Sequence, residues 1–442
     1  MNSALRYTDI DFAVKSEIPV TPQDDFYVDL SDVRGYFKDE LIYQSLGVHS
    51  RTFKYMEENP FQKHWIFLSG NIGAGKTTQI NKWIENLNNS DCFLCIFVEI
   101  DRGLDMNNIE YTDVVIYQFQ KLFQKLYELK ISLDDIFVNL MVSQLFNSFK
   151  EIENQLLGVY QPHLLVDINN GMQILHKLFI QLRTVITSSV QKSVILRNHI
   201  KTKFEFYAQI FNTILEAINH HLRKQHLARE LFFVIDGFER TVSGELRRKI
   251  FMEEYQRISQ IKVNTLFTLP IELMKDTRKL KTFGDVYTFP CIKLYERNGK
   301  PIESSYRKLE ELLFRRVDKT LFDSQTTIRE AIFYSGGSPR ELLRIIENAT
   351  FFIDPKKGII DNSALKLSIK KLAAVASRFI TELDIQMLKK LKELNKNEIP
   401  VINLDEMQEL LEKMIVFEYE DGTHKRVNPL VEISNIYKYH VG

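Results

Sequence analysis

"HWIFLSGNIGAGKTTQINKWIENLNN" covers residues 64–89. It reads in three pieces. An apolar run ends at Ser69. A glycine-rich turn follows. Then Ile80, Trp83, Ile84 and Leu87 recur at helical spacing. The turn fits G-x-x-x-x-G-K-[ST] at Gly70, Gly75, Lys76 and Thr77. Strand before and helix after make this a phosphate loop and not a chance run of glycines. Residues Gly70, Asn71, Ile72, Gly73, Ala74, Gly75, Lys76, Thr77 and Thr78 are expected to cradle a β-phosphate. Backbone N–H groups and the positive end of the helix supply the attraction. Lys76 should reach the β- and γ-phosphates, and the Thr77 hydroxyl should ligate Mg²⁺.

Further apolar runs extend the pattern. "CFLCIFVEI" (92–100), "ELFFVIDGFER" (230–240), "VNTLFTLP" (263–270) and "VYTFPCIKL" (286–294) are short, apolar and bounded by polar or breaker residues. Buried parallel strands read this way. Strands alternating with helical stretches predict an α/β parallel sheet. Residues 103–230 show repeated helical spacing and few breakers, Pro162 among them. They predict a large helical insertion in the core. After 303 helices dominate. The last part reads helix ("DIQMLKKLKEL"), helix ("LDEMQELLEK") and hairpin ("MIVFEYEDGTHKRVNPLV"). Asp421-Gly422 marks the turn. This is the outline of a winged helix. The expected organisation is an N-terminal extension at 1–60, a core at 61–300 with its insertion at 103–230, a helical lid at 301–360 and a winged helix at 361–442.

Composition narrows the class. The chain has 442 residues, 44% hydrophobic and 26% charged, with a formal net charge of +0. That balance argues against disorder and against a chain built to coat nucleic acid. Cys92, Cys95 and Cys291 are too few for a disulfide framework, which suits a reducing compartment. Cys92 and Cys95 are three apart on a strand, so they face opposite sides and make a poor metal site. No signal peptide and no membrane-length apolar run is read. A soluble cytoplasmic protein is expected.

Four side chains carry the expected chemistry. In "FFVIDGFER", Asp236 falls at the carboxyl end of a buried strand, where ligands sit in open α/β sheets. It would hold Mg²⁺ with Thr77, or it simply starts a turn. The next residue is Gly237, which cannot activate water. Glu239 is the nearest acid that could orient an attacking water. Its other reading is a solvated acid paired with Arg240. Thr268 ends a strand and either touches the γ-phosphate or lytic water, or is there for β-propensity. In "SGGSPRELLRII" (335–346), Ser338 caps a helix, Pro339 takes its first position and Glu341 completes a capping box. Arg340 would then point from the helix start, toward a γ-phosphate or into solvent. Arg247, Arg248, Arg257, Arg315 and Arg316 are candidates for a finger acting in trans.

Together, "GNIGAGKTT", "VIDGFER", Thr268, "GGSPREL" and the C-terminal helix–helix–hairpin resemble an AAA+-related P-loop ATPase of the STAND group. The resemblance spans about 60–440 and includes a NACHT-like metal motif, in which Arg240 stands where a second acid is often found. "GGSPREL" also resembles the sensor-2 helix of origin-recognition ATPases. The resemblance implies a sheet order of 5-1-4-3-2, with ATP and Mg²⁺ as cofactors. One departure is the 160 residues between Lys76 and Asp236 (236 − 76). A looser likeness is to bacterial STAND-type ATPases of antiphage and mobile loci.

Three functions follow from this reading. The first is a slow ATPase switch that forms homo-oligomers or recruits a separate effector protein. No nuclease, protease or TIR-like segment is read in the chain, so the effector would be another protein. The second is a DNA-handling AAA+ ATPase of the initiator or transposition type. The helix expected to read DNA carries Asp405, Glu406, Glu409 and Glu412 against Lys413, which phosphates would repel. Lys425 and Arg426 in the hairpin, or the basic "RNHIKTKFE" (197–205), are what remains for DNA. The third is a nucleotide-stabilised scaffold with little turnover.

Overall fold

The computed structural model describes residues 4–56, 63–161, 171–241, 244–296, 298–396, 405–420, 422 and 424–442. Pro162 and Asp421 lie outside them, as do the side chains of Asp405 and Glu406. Five parallel strands form the central sheet: β1 (Trp65–Ser69), β2 (Phe93–Glu99), β3 (Glu230–Asp236), β4 (Asn264–Leu269) and β5 (Asp285–Thr288). Their order is β2-β3-β4-β1-β5. Read backwards, this is the expected 5-1-4-3-2. β5 is shorter than its apolar run, because the chain leaves the sheet at Pro290, after the Phe289 N–H has donated to the Ser69 carbonyl at 2.6 Å. Proline has no N–H to donate to a ladder.

Alternate residues of each strand enter two cores. Phe67, Leu231, Phe233, Ile235 and Phe267 face one side, and Ile66, Leu68, Phe232, Val234 and Leu266 the other. A strand buried on both faces must be apolar throughout, which explains the unbroken runs in the sequence. The first core is completed by α2 (Tyr111–Glu128), α3 (Asp135–Lys150), α4 (Gly171–Ser188), α5 (Val190–Thr202) and α6 (Phe204–Lys224). The helical insertion therefore shares one continuous core with the sheet. Arg197, in α5, is buried and ion-paired to Asp113 at 2.7 Å, and Lys201 pairs with Glu110. The basic stretch read as a possible DNA contact is spent on internal ion pairs at these positions.

The second face is covered by α1 (Lys76–Asn89), by the short helix Asp39–Ser45, and by strand β6 (Val416–Tyr419) of the C-terminal hairpin. β6 pairs antiparallel with β7 (His424–Val427). The lid helices are α7 (Glu303–Phe314), α8 (Gln325–Tyr334) and α9 (Pro339–Thr350). Their core continues into α10 (Asn362–Ala376) through Leu365, Ile369 and Leu372. It also takes Ile10, Val14, Phe26, Val28 and Leu30 from the N-terminal segment. Phe37, Ile42, Tyr43 and Leu46 enter the sheet core instead. Residues 4–48 thus bridge the lid and the sheet; they are not a detached extension.

α11 (Glu382–Lys396) and α12 (Asp405–Glu412) complete the C-terminal unit. Between α10 and α11 the chain breaks at Ser377–Thr381; the Thr381 hydroxyl accepts the Asp384 N–H at 3.3 Å and the Asp384 carboxylate accepts the Thr381 N–H at 2.8 Å, capping α11. Among the described residues, no helix is long and apolar enough to cross a membrane.

Backbone contacts tie the lid to the sheet. Ile292 N–H donates to the Gly337 carbonyl at 3.1 Å. Gly337 has φ +78, and a Cβ there would stand 1.8 Å from the Ile292 carbonyl oxygen. Gly337→Ala should therefore force the two backbones apart and cost about 2 kcal/mol of stability. A thermal melt unchanged from the parent would show that this approach does not hold the lid.

Candidate nucleotide site

The glycine loop turns because Gly70, Gly73 and Gly75 take positive φ, which costs glycine little. Lys76 opens α1 and is buried; its Nζ donates to the carbonyls of Gly70 at 2.8 Å and Asn71 at 3.2 Å. The ammonium lies folded over the loop. Thr77 Oγ1 donates to Asp236 Oδ2 at 2.7 Å. The register of β3 brings Asp236 to the strand end and so to this hydroxyl. The other carboxylate oxygen, Oδ1, is buried with no hydrogen-bond partner. Burial, and then the nearby Glu239 charge, push the Asp236 carboxyl up to about 6. An orphaned buried oxygen beside a threonine hydroxyl fits a divalent cation, whose charge would offset both effects.

Behind this pair sits a polar relay. Gly237 takes φ +108, and a Cβ there would stand 2.9 Å from Asp101 Oδ1. That space is needed because Asp101 ion-pairs with Arg240. The Gly237 N–H donates to Thr268 Oγ1 at 3.1 Å, and Thr268 Oγ1 donates to Glu239 Oε2 at 3.4 Å. Thr268 is fully buried and holds Glu239 from behind, while Glu239 and Arg240 line the cleft. The alternative reading of Glu239, as an acid paired with Arg240, has no such pair among the described residues; Arg240 turns to Asp101 instead.

The lid closes the other side. Ser338 caps α9 by accepting the Glu341 N–H at 3.3 Å, as read from the sequence. The capping box is not completed, because Glu341 ion-pairs with Arg344 at 3.0 Å. Ser338 Oγ donates to the Gly73 carbonyl at 3.2 Å, and the Arg340 N–H to the same carbonyl at 3.3 Å. The start of α9 therefore docks on the glycine loop itself. A Cβ on Gly73 would stand 2.8 Å from the Arg340 Cβ. Arg340 lines the cleft, and its Nε donates to the Ser16 carbonyl at 3.4 Å. Burial, with Arg240 nearby, holds its pKa below the usual value.

Three features escaped the sequence reading. First, Ile18, Pro19, Val20, Phe26, Val28 and Leu30 of the N-terminal segment form an apolar wall of the cleft with Leu312 and Leu343. Second, Arg34 also lines it, and Arg316, read as a candidate finger in trans, lines it within the same chain. Third, the C-terminal hairpin is bonded to the loop. The Glu418 N–H donates to Asn71 Oδ1 at 2.8 Å, Asn71 Nδ2 donates to the Val416 carbonyl at 3.3 Å, and the Cys291 N–H donates to the Glu418 carbonyl. Five cations (Arg34, Lys76, Arg240, Arg316, Arg340) and one carboxylate (Glu239) face the cleft.

The trans-finger candidates are occupied within the chain. Arg247 pairs with Glu272 and Glu412, and Arg248 with Asp276. Arg257 donates to the Tyr111 hydroxyl, and Arg315 pairs with Glu311. Arg316 donates to the Phe26 and Leu312 carbonyls. In the hairpin, Lys425 is 0% exposed and pairs with Glu418 at 3.0 Å. It offers nothing to a DNA backbone in this arrangement.

No family model matches the chain, and no curated protein matches it. Among solved structures it is similar to Cdc6p from Pyrobaculum aerophilum, at 12% identity over 94% of this chain and 98% of that one, with a TM-score of 0.37.

Proposed function

We propose that the chain is an ATP-binding and ATP-hydrolysing switch of the STAND or AAA+ kind, which changes its oligomeric state or recruits an effector protein according to the nucleotide held. The observation that carries this reading is the five-to-one excess of cations in a cleft built on a glycine loop. Such a field favours a polyphosphate, and the apolar wall from the N-terminal segment suits a base. The N–H groups of residues 70–78 hold the β-phosphate, and Lys76 leaves its loop carbonyls for phosphate oxygens. Thr77 and Asp236 would hold Mg²⁺, which supplies charge neutralisation at the β- and γ-phosphates. Glu239, steadied by Thr268, orients the attacking water, and Arg340 answers to the γ-phosphate.

The switching part rests on two contacts of the same loop. The lid touches Gly73 and the C-terminal hairpin touches Asn71. A loop that shifts when its phosphates change alters both docking surfaces, and so biases a closed against an open arrangement. A role in an antiphage or mobile-element system is the setting we favour for such a switch. The DNA-reading alternative loses its hairpin lysine to Glu418.

Fluorescent ATP and ADP titrations test the foundation. The parent chain should bind both, and Lys76→Ala should weaken binding at least about tenfold, the loss of a charge-assisted contact. A parent that binds neither nucleotide, or a Lys76→Ala chain that binds equally, would sink the proposal. Light scattering with ADP against a non-hydrolysable ATP analogue tests the switch, and no change of mass or shape would count against it.

A further inference from the structure

We infer that Arg34 is a phosphate ligand of this cleft, supplied in cis by the N-terminal segment to the diphosphate portion of the bound nucleotide. The inference rests on the nucleotide reading given above. Arg34 follows a short turn of helix at Ser31–Val33 and precedes Gly35, whose φ of +65 turns the chain so that Phe37 can enter the sheet core. The guanidinium is 2% exposed. It stacks 4.2 Å above the Phe289 ring, and its Nη1 donates to the Pro290 carbonyl at 2.6 Å. That leaves it short of partners. Nε is buried with no acceptor, and no carboxylate lies within ion-pair distance among the described residues.

The local acids cannot supply one. Asp29 and Asp39 both pair with Lys82, at 2.8 and 2.9 Å. Arg197 shows what the same chain does with a buried guanidinium that is purely structural: Asp113 takes it with two hydrogen bonds, at 2.9 and 2.7 Å. An unpaired buried cation is costly, because desolvation is not repaid by an opposite charge. Burial accordingly lowers the Arg34 pKa to about 10, which still leaves it charged at neutral pH.

Its position names the missing anion. Arg34 lines the cleft. A Cβ at Gly75 would stand 3.1 Å from Arg34 Nη2. Gly75 is the residue directly before α1, where the loop N–H groups and the helix end converge on phosphate. A planar guanidinium beside that point can bridge two phosphate oxygens. Asp236 and Glu239 mark the γ end of the site through Thr77 and Thr268. Arg34 belongs instead with the residues that ADP and ATP would share.

The test uses the full chain, with ADP and ATP titrations and the melting temperature of the nucleotide-free protein. Arg34→Met should weaken both nucleotides about tenfold and to a similar extent. It should leave the nucleotide-free melt unchanged or raise it, since an unpaired buried charge has been removed. A structural arginine would do the reverse. Should the melt fall, Arg34→Lys decides: a ligand role lets the retained charge recover part of the affinity lost in Arg34→Met, whereas a packing role gives the same loss in both variants. Affinities for ADP and ATP within twofold of the parent in Arg34→Met would overturn the inference alone. A parent chain that binds no nucleotide would overturn the nucleotide reading and this inference with it.

Discussion

Glu239→Gln should lower steady-state ATP hydrolysis about a hundredfold and leave ATP affinity within twofold. The magnitude is that of a positioned base or water-orienting group. Glutamine keeps the size of the side chain and one acceptor oxygen but loses the charge. The Thr268 hydroxyl can still donate to it, so the fold around β4 should survive. Many P-loop ATPases place the water-orienting acid directly after the metal aspartate. Here that place is Gly237, and the geometry explains why. The backbone is left-handed there, and a side chain would collide with Asp101. The acid three residues on is instead brought to the cleft by the 3-10 turn Phe238–Arg240. Thr268, fully buried at the end of β4, pins both the Gly237 amide and the Glu239 carboxylate. Thr268→Val should then reproduce part of the Glu239→Gln defect without weakening nucleotide binding, because the threonine stands behind the acid. Initial rates at saturating ATP, with binding measured separately, check both variants. Hydrolysis by Glu239→Gln at the parental rate would remove Glu239 from the mechanism. Unchanged binding with no hydrolysis in the parent would favour the scaffold reading.

The parts of the site that were legible in the sequence share one property: each is local. The glycine loop needs its strand, its turn and its helix within 26 residues, 64–89. Asp236 is placed by the apolar run directly before it, and Ser338 by the helix it caps. Strand order could be expected only through the family likeness, since periodicity gives strands and not neighbours. The remainder depends on distant segments meeting. Apart from the short alternation of Phe26, Val28 and Leu30, "SEIPVTPQDDFYVDLSDVRGYF" (16–37) shows no helical or strand period. Its apolar residues are placed by the groove between lid and sheet that they fill. Arg34 lies in this segment, and the Pro290 carbonyl that takes its Nη1 is 256 residues away. The capping box failed for a related reason. Arg344, one turn along α9, offers Glu341 an opposite charge, which outcompetes a backbone N–H.

Glu412→Lys should loosen the C-terminal unit from the sheet domain and raise the open population about fivefold. Two contacts hold that unit closed. β6 carries Phe417 and Tyr419 into the sheet core and bonds to Asn71 of the glycine loop. α12 packs Met407, Leu410 and Leu411 around Ile271 of the turn Ile271–Asp276, and Glu412 ion-pairs with Arg247. The acids read in this helix as hostile to DNA thus include one spent on docking. Arg247 is 5% exposed and shares its charge between Glu412 and Glu272. Putting a lysine opposite it removes an ion-pair partner and adds a like charge at a half-exposed position, worth about 1 kcal/mol. That moves a two-state docking equilibrium about fivefold. Burial has already raised the Glu272 pKa, and Arg247 is the first charge acting against that rise. Arg247 therefore keeps one partner in the variant, so the sheet core should stay folded while the interface opens. The expected readouts are a larger radius by small-angle scattering in ADP, faster ADP release, and a higher oligomer fraction without ATP. A Glu412→Lys chain with the parental radius, ADP release rate and oligomer fraction would show that this contact does not gate the switch. The bond from Asn71 to β6 would then be the coupling left to carry it.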